Sequence, residues 1–144
     1  MHTILPLEIV PIEDEGFHII TAGKVNGDDA RLLIDTGASR TVFDIERITL
    51  FPGIDPKVFK KLEKLSSGLG TNTMESFTII LEEFRLGDLP LKDFETVLID
   101  MSHVNNSYEM LEMPAIDGVI GGDILADYNA VLDYGSRKLR LESR

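Results

Sequence analysis

One aspartate in this chain lies where a run of apolar residues gives way to a turn. Residues 32–34, Leu-Leu-Ile, are typical of a buried strand, and Asp35, Thr36 and Gly37 are typical of the turn that leaves it. The pattern therefore predicts an ionisable carboxyl at the end of a buried strand. A carboxylate withdrawn from water needs hydrogen bonds, a second titratable group or a ligand. The Thr36 hydroxyl and the Gly37 backbone N–H could supply the hydrogen bonds.

A second informative stretch covers residues 117–125, Asp-Gly-Val-Ile-Gly-Gly-Asp-Ile-Leu. Its β-branched pair, Val119 and Ile120, predicts a short buried strand. The glycines that follow, beginning with Gly121, predict that another segment approaches this backbone closely. We expect Asp123 to cap a short helix over residues 124–128.

These two stretches together resemble the active-site pattern of the aspartic proteases. The first is Asp35-Thr36-Gly37-Ala38-Ser39 with the apolar residues before it, and the second is residues 117–125. The single Asp-Thr-Gly and the chain length resemble the retropepsin-like branch. This resemblance implies an all-β domain with one or two short helices, folded as a retropepsin-like closed β-barrel or sandwich. Without the second motif, Asp35 could equally be an ordinary turn aspartate that bonds its own loop.

The resemblance implies an aspartic endopeptidase that hydrolyses peptide bonds. Such chemistry needs two carboxyls that share one proton, and the chain holds one motif. A twofold homodimer would supply the second Asp35. By the same resemblance, Thr36 locks the two loops together, Gly37 aligns the substrate backbone and Ala38 lies beside it. Residues 119–121, Val-Ile-Gly, would pack behind the loop.

A glycine-containing stretch at residues 66–76 separates the two motifs. The resemblance makes it the candidate flap over the substrate, and a plain surface loop is the alternative. It does not fit a nucleotide-binding loop, because a strand follows it and a third glycine is missing. The candidate flap residues are Gly68, Leu69, Gly70 and Thr71.

Some positions depart from the retroviral pattern. Ser39 and Gly122 replace an acidic residue and an arginine that brace the site in retroviral relatives, so a non-catalytic binding or dimerisation module is the alternative function. Asp117 and Asp123 are interpreted as structural. Val131-Leu132-Asp133-Tyr134-Gly135 echoes the first motif, but a tight hairpin turn explains those residues without function.

Composition limits the remaining possibilities. The 144 residues predict one domain, and a formal net charge of −11 argues against a nucleic-acid partner. The chain has no cysteine, and its histidines, His2, His18 and His103, are too scattered to predict a metal site; we expect no cofactor. No apolar run predicts a signal peptide or a membrane span, so we expect a cytoplasmic protein with no membrane partner.

The remaining pattern predicts the order of the elements. Residues 1–16 should form an irregular edge segment, because prolines cannot donate hydrogen bonds within a central strand. Asn26-Gly27 is typical of a hairpin turn. Further predicted elements are a hairpin over 17–34, a helical turn at 44–48, an amphipathic helix over 55–65, a hairpin over 84–91, a strand over 94–99, an irregular stretch over 100–114 and a hairpin over 130–141.

Overall fold

The computed structural model describes residues 1–14, 16–62 and 75–143, and most of its regular structure is strand. Short apolar runs that alternate with polar residues produce these strands, as their alternating burial indicates. The strands are β1 (His2–Pro6), β2 (Glu8–Pro11), β3 (Phe17–Val25), β4 (Asp28–Ile34), β5 (Val42–Asp44), β6 (Lys60–Leu62), β7 (Ser76–Leu86), β8 (Leu89–Ile99), β9 (Gly118–Ile120), β10 (Val131–Asp133) and β11 (Lys138–Glu142).

The helices are short. The described residues contain helix α1 (Ser102–Met110) and helix α2 (Gly122–Asp127), with single 3-10 turns at Arg47–Leu50 and Pro56–Val58. The predicted all-β class with one or two short helices is confirmed. None of the helices in the described ranges has the length and apolar character needed to cross a membrane.

Eight strands form one sheet in the order β2-β3-β4-β9-β5-β8-β7-β6. An additional pairing between β3 and β7 bends this sheet into a ring. The main hydrophobic core fills the ring, and its centre is aromatic. Phe84 lies 5.5 Å from Phe43 and 5.5 Å from Phe94, measured between ring centroids.

Strand β9 lies between β4 and β5. It runs parallel to β4, with Ile34 opposite Ile120, and antiparallel to β5. A Cβ atom at Gly118 would stand 2.8 Å from the carbonyl oxygen of Val42 and 2.8 Å from the Phe43 ring, so only glycine fits there without displacement. The second motif is therefore held directly beside the strand that leads to Asp35.

A smaller sheet has the strand order β1-β11-β10. The predicted irregular edge segment at residues 1–16 is wrong in part, because it contains two regular strands that belong to different sheets. Strand β1 pairs with β11, and β2 pairs with β3 at the edge of the large sheet. Pro6 and Pro11 end these strands, which is how the prolines are accommodated.

Helix α1 covers part of the outer surface of the ring. Its Tyr108 is fully buried and hydrogen-bonds Nδ1 of His18 at 2.7 Å. Burial raises the pKa of the Tyr108 hydroxyl, an effect that Arg31 opposes and Glu8 reinforces. The prediction of an irregular stretch at 100–114 was wrong, because the few buried contacts of this polar helix are tertiary and leave little periodicity in the sequence.

Two other elements differ from expectation. The amphipathic helix predicted over 55–65 is limited to one 3-10 turn, which Asp55 caps through Lys57 N at 2.9 Å, and β6 follows because it pairs with β7. Residues 63–65 lie outside the described ranges. The separate strand predicted at 94–99 is the second half of β8, which continues unbroken from the turn at Gly87.

The aromatic centre predicts a large stability effect. We expect Phe84→Ala to lower the free energy of unfolding by about 3–5 kcal/mol, because it leaves a cavity between Phe43 and Phe94. Ile80→Ala on the same strand, where the side chain is 55% exposed, should cost less than about 1 kcal/mol. Urea denaturation of both variants measures the difference. Equal losses would mean that the ring interior is not the main core.

Candidate active site

Asp35 directly follows β4 and is fixed through its backbone. Its N–H donates to the carbonyl oxygen of Ile120 at 3.0 Å, and its Oδ1 accepts from Gly37 N at 2.9 Å. The side chain is exposed in the single chain. The carboxyl therefore lies where the buried strand ends, as the sequence predicted, but solvent reaches it. Its second oxygen, Oδ2, has no hydrogen bond with the described residues.

Backbone contacts hold the loop that follows. The Ala38 N–H donates to Asp35 O at 3.2 Å, and Ala38 O accepts from Gly122 N at 2.7 Å. A Cβ atom at Gly121 would stand 2.6 Å from the Arg40 carbonyl group and 2.9 Å from Ala38 O. The absence of a side chain at Gly121 thus allows the loop to lie against the start of helix α2.

Thr41 connects the loop to the second motif, and the sequence did not identify it. Its Oγ1 donates to Asp123 Oδ1 at 2.7 Å and accepts from Gly121 N at 3.1 Å. Asp123 Oδ1 also accepts from Thr41 N and Ile124 N, each at 2.9 Å. Helix α2 begins at Gly122, so Asp123 belongs to its first turn and Gly121 occupies the cap position. The prediction that Asp123 caps the helix was wrong.

The other buried carboxylates already have partners. Asp117 and Asp44 are each 5% exposed. Asp117 accepts from Arg31 N and from Arg47 Nε, both at 2.8 Å. Asp44 accepts from Met101 N at 2.8 Å and Arg47 N at 2.9 Å. These carboxylates hold strands and turns together, and none of these contacts involves Asp35.

The structure brings some of the predicted site residues together. Thr36 and Gly37 are exposed beside Asp35, and Ala38 is half-buried. The Thr36 hydroxyl makes no hydrogen bond with the described residues. Val119, Ile120 and Gly121 are buried next to the Asp35 strand and loop. The predicted flap residues, Gly68, Leu69, Gly70 and Thr71, lie outside the described residues.

Asp133, in the echo of the first motif, belongs to a hairpin turn. Its Oδ1 accepts from Ser136 N at 3.0 Å, and this bond lowers the pKa of the carboxyl. Within residues 1–14, 16–62 and 75–143, no three His, Asp or Glu side chains are grouped so that they could hold a metal ion.

Comparison with known families agrees with this geometry. A family model described as aspartyl protease matches residues 21–124, from β3 to the first turn of helix α2. The chain belongs to the aspartyl protease family. The match contains the Asp35 loop and the strand that lies behind it. A comparison with curated proteins finds no match.

Solved structures of aspartyl proteases share the fold. A retropepsin-like aspartic protease from Rickettsia conorii is 15% identical and superposes with a TM-score of 0.58, covering 99% of this chain and 93% of its own. The retroviral protease-like domain of Ddi1 from Leishmania major is 17% identical with a TM-score of 0.54, covering 87% of this chain and 88% of its own. The predicted retropepsin-like fold is confirmed.

The bonds of Thr41 predict that its hydroxyl stabilises the loop. Thr41→Val keeps the shape but removes one of the bonds to Asp123 and leaves Gly121 N without its partner, so we expect a loss of about 1–3 kcal/mol in unfolding free energy. Thr41→Ser keeps the hydroxyl and should lose only about 0.8 kcal/mol for the methyl group. Urea denaturation, with amide exchange at Gly121, compares the two. A valine variant as stable as the serine variant would contradict this role.

Proposed function

We propose that this aspartyl protease family member is an aspartic endopeptidase in which Asp35 activates the attacking water. The observation that carries the proposal is the environment of Asp35. Backbone groups of Ile120 and Gly37 hold the residue, while Oδ2 makes no hydrogen bond with the described residues and Asp35 is exposed to solvent. A fixed carboxylate with one free oxygen is what a general base needs.

The reaction requires a second carboxyl beside the first. Two carboxyls about 3 Å apart cannot both ionise, so one keeps a proton. The ionised carboxyl takes a proton from water as the water attacks the peptide carbonyl carbon. The protonated carboxyl donates a hydrogen bond to the carbonyl oxygen and stabilises the charge that develops there. The C–N bond of the tetrahedral intermediate then breaks, and the leaving amine receives the proton that the first carboxyl took from water.

We infer that the second carboxyl comes from Asp35 of another copy of the chain. Asp44, Asp117 and Asp123 are each engaged by hydrogen bonds from two or more groups. A twofold dimer would instead bring identical loops face to face. The free hydroxyl of Thr36, next to Asp35, would be available for contacts across the axis.

Strand β10 is the surface that we propose for this dimer. No described strand pairs with its outer edge, and Val131 on it is 51% exposed, with Tyr134 just beyond it 55% exposed. Helix α2 connects this strand to the Asp35 loop through Gly122. An unpaired strand edge with apolar side chains favours pairing with a second copy. The proposed substrate is a peptide or protein, and the cytoplasmic location stays a prediction.

The catalytic role is tested by Asp35→Asn. We expect this variant to lose at least about 100-fold in cleavage of a diverse peptide library, because the amide cannot accept the proton of the water. Mass spectrometry of the products from about pH 4 to 7 covers the expected titration of the pair. Asp88→Asn is the matched control and should cleave as the wild type does, because Asp88 is exposed and its side chain makes no hydrogen bond with the residues that the structure describes.

Two results would contradict the proposal. Cleavage that persists in Asp35→Asn would assign the activity to another group or to a contaminant. If wild type cleaves nothing while a folded dimer is demonstrated, the chain is a binding or dimerisation module that keeps the fold.

The dimer surface is tested by Val131→Glu. Across a twofold axis this change places like charges together at a strand edge, so we expect sedimentation to shift toward monomer and cleavage to fall in parallel. Ile4→Glu is the matched control. Ile4 is 52% exposed and lies on β1, at the opposite edge of the same sheet, and both Ile4 and Val131 pair with Arg140 of the central strand. A Val131→Glu protein that stays dimeric would exclude this edge.

A further inference from the structure

An open cavity of about 630 Å³ lies on the outer surface of the ring, and the catalytic proposal does not use it. Arg31 on β4 lines it, four residues before Asp35. At about 3.3 Å per strand residue, the two side chains are attached about 13 Å apart along the strand. The cavity is large enough for a small organic ligand or a short peptide.

Part of the cavity floor is apolar. Ala22 stands opposite Arg31 in the register of β3 and β4, and Ile20 lies next along the same strand face. Pro114 and Ala115 form the far wall, in the segment that leads into β9. The small side chains of Ala22 and Ala115 leave the space open, and an apolar ligand group that covers the exposed Ala22 would remove apolar surface from water.

Two arginines line the cavity, and each is held by a carboxylate. Arg47 Nε donates to Asp117, so the guanidinium is oriented while its terminal nitrogens make no hydrogen bond with the described residues. Arg31 contacts Glu8 at 3.1 and 3.5 Å, the second being a long bond. Arg31 Nε is buried and has no partner among the described residues. The terminal nitrogens of Arg47 are thus the donors that remain for a ligand in the cavity.

These features select the ligand. Free guanidinium nitrogens bind carboxylates with directed, charge-assisted hydrogen bonds. A phosphate would bring a higher charge close to Glu8, Asp29 and Asp117, which line the same cavity. We propose that this cavity binds a carboxylate attached to an apolar group, with the carboxylate on Arg47 and the apolar group on the Ala22 floor. Glu8, which is 58% exposed and bonds Arg31 in the same cavity, competes with the ligand carboxylate for the positive charge there.

Two sources share this chemistry, namely the C-terminus of a peptide with apolar side chains and a free aliphatic acid. The probes are N-acetyl-dileucine, its C-terminal amide, and octanoate, titrated into the full chain carrying Asp35→Asn so that no peptide is cleaved. Two-dimensional amide NMR gives both the affinity and the location. Binding of the peptide acid alone identifies a peptide C-terminus, whereas octanoate binding as well identifies carboxylic acids in general.

We expect saturable binding of the acid, with the largest shifts at Ala22 and Ala115, and at least tenfold weaker binding of the amide. Arg47→Lys keeps the positive charge beside Asp117 but loses the planar guanidinium with its several donors, and should weaken binding of the acid about tenfold. Ala22→Phe should block the cavity. Glu8→Gln removes the competing carboxylate and should strengthen binding several-fold, a gain that a misfolded variant cannot give.

Arg140→Lys is the matched control for Arg47→Lys, because Arg140 pairs with Glu142 on the other sheet at 2.9 Å. It should bind as the parent chain does. The proposal is overturned if neither acid saturates, if acid and amide bind equally, or if Arg47→Lys and Ala22→Phe leave the affinity unchanged. Because the readout is binding to a chain without Asp35, its failure leaves the catalytic proposal untouched.

Discussion

The fold of the candidate site depends on the close approach of two backbones. Strand β9 fits between β4 and β5 because Gly118 has no side chain against Phe43, and the loop reaches helix α2 because Gly121 has none against Arg40. In an interior packed this tightly, even one added methyl group would force neighbouring atoms to move. The position of the Asp35 loop therefore depends on the absence of side chains at Gly118 and Gly121.

Hydrogen bonds then stabilise the close approach that the glycines allow. Asp123 Oδ1 connects Thr41 to the first turn of helix α2. The Thr41 hydroxyl also accepts from Gly121 N, directly after β9. Retroviral relatives brace this region with an ion pair, and this chain has Ser39 and Gly122 at those positions. In this chain the Thr41 hydroxyl and the Asp123 carboxylate connect the loop to helix α2.

The sequence predicted the parts of this arrangement that are local. The apolar run before Asp35 and the pair Val119-Ile120 carry their strand character in their own residues, and Asn26-Gly27 specifies its turn by positive φ. Helix α1 and strand β6 could not be predicted, because one depends on burying Tyr108 and the other on pairing with β7. Thr41 was missed for the same reason, since its partners are distant in sequence.

The threading of β9 also has a consequence for how the chain folds. Thr41 and Asp123 are separated by 82 residues, and the parallel pairing of β4 with β9 closes a loop of similar size. Contacts between distant residues form slowly, because the entropy of closing the loop is lost before the contacts compensate for it. During synthesis, the loop around Asp35 cannot reach its final geometry until Asp123 has left the ribosome. A nascent or C-terminally truncated chain would therefore contain the Asp35 motif without the geometry of the candidate site.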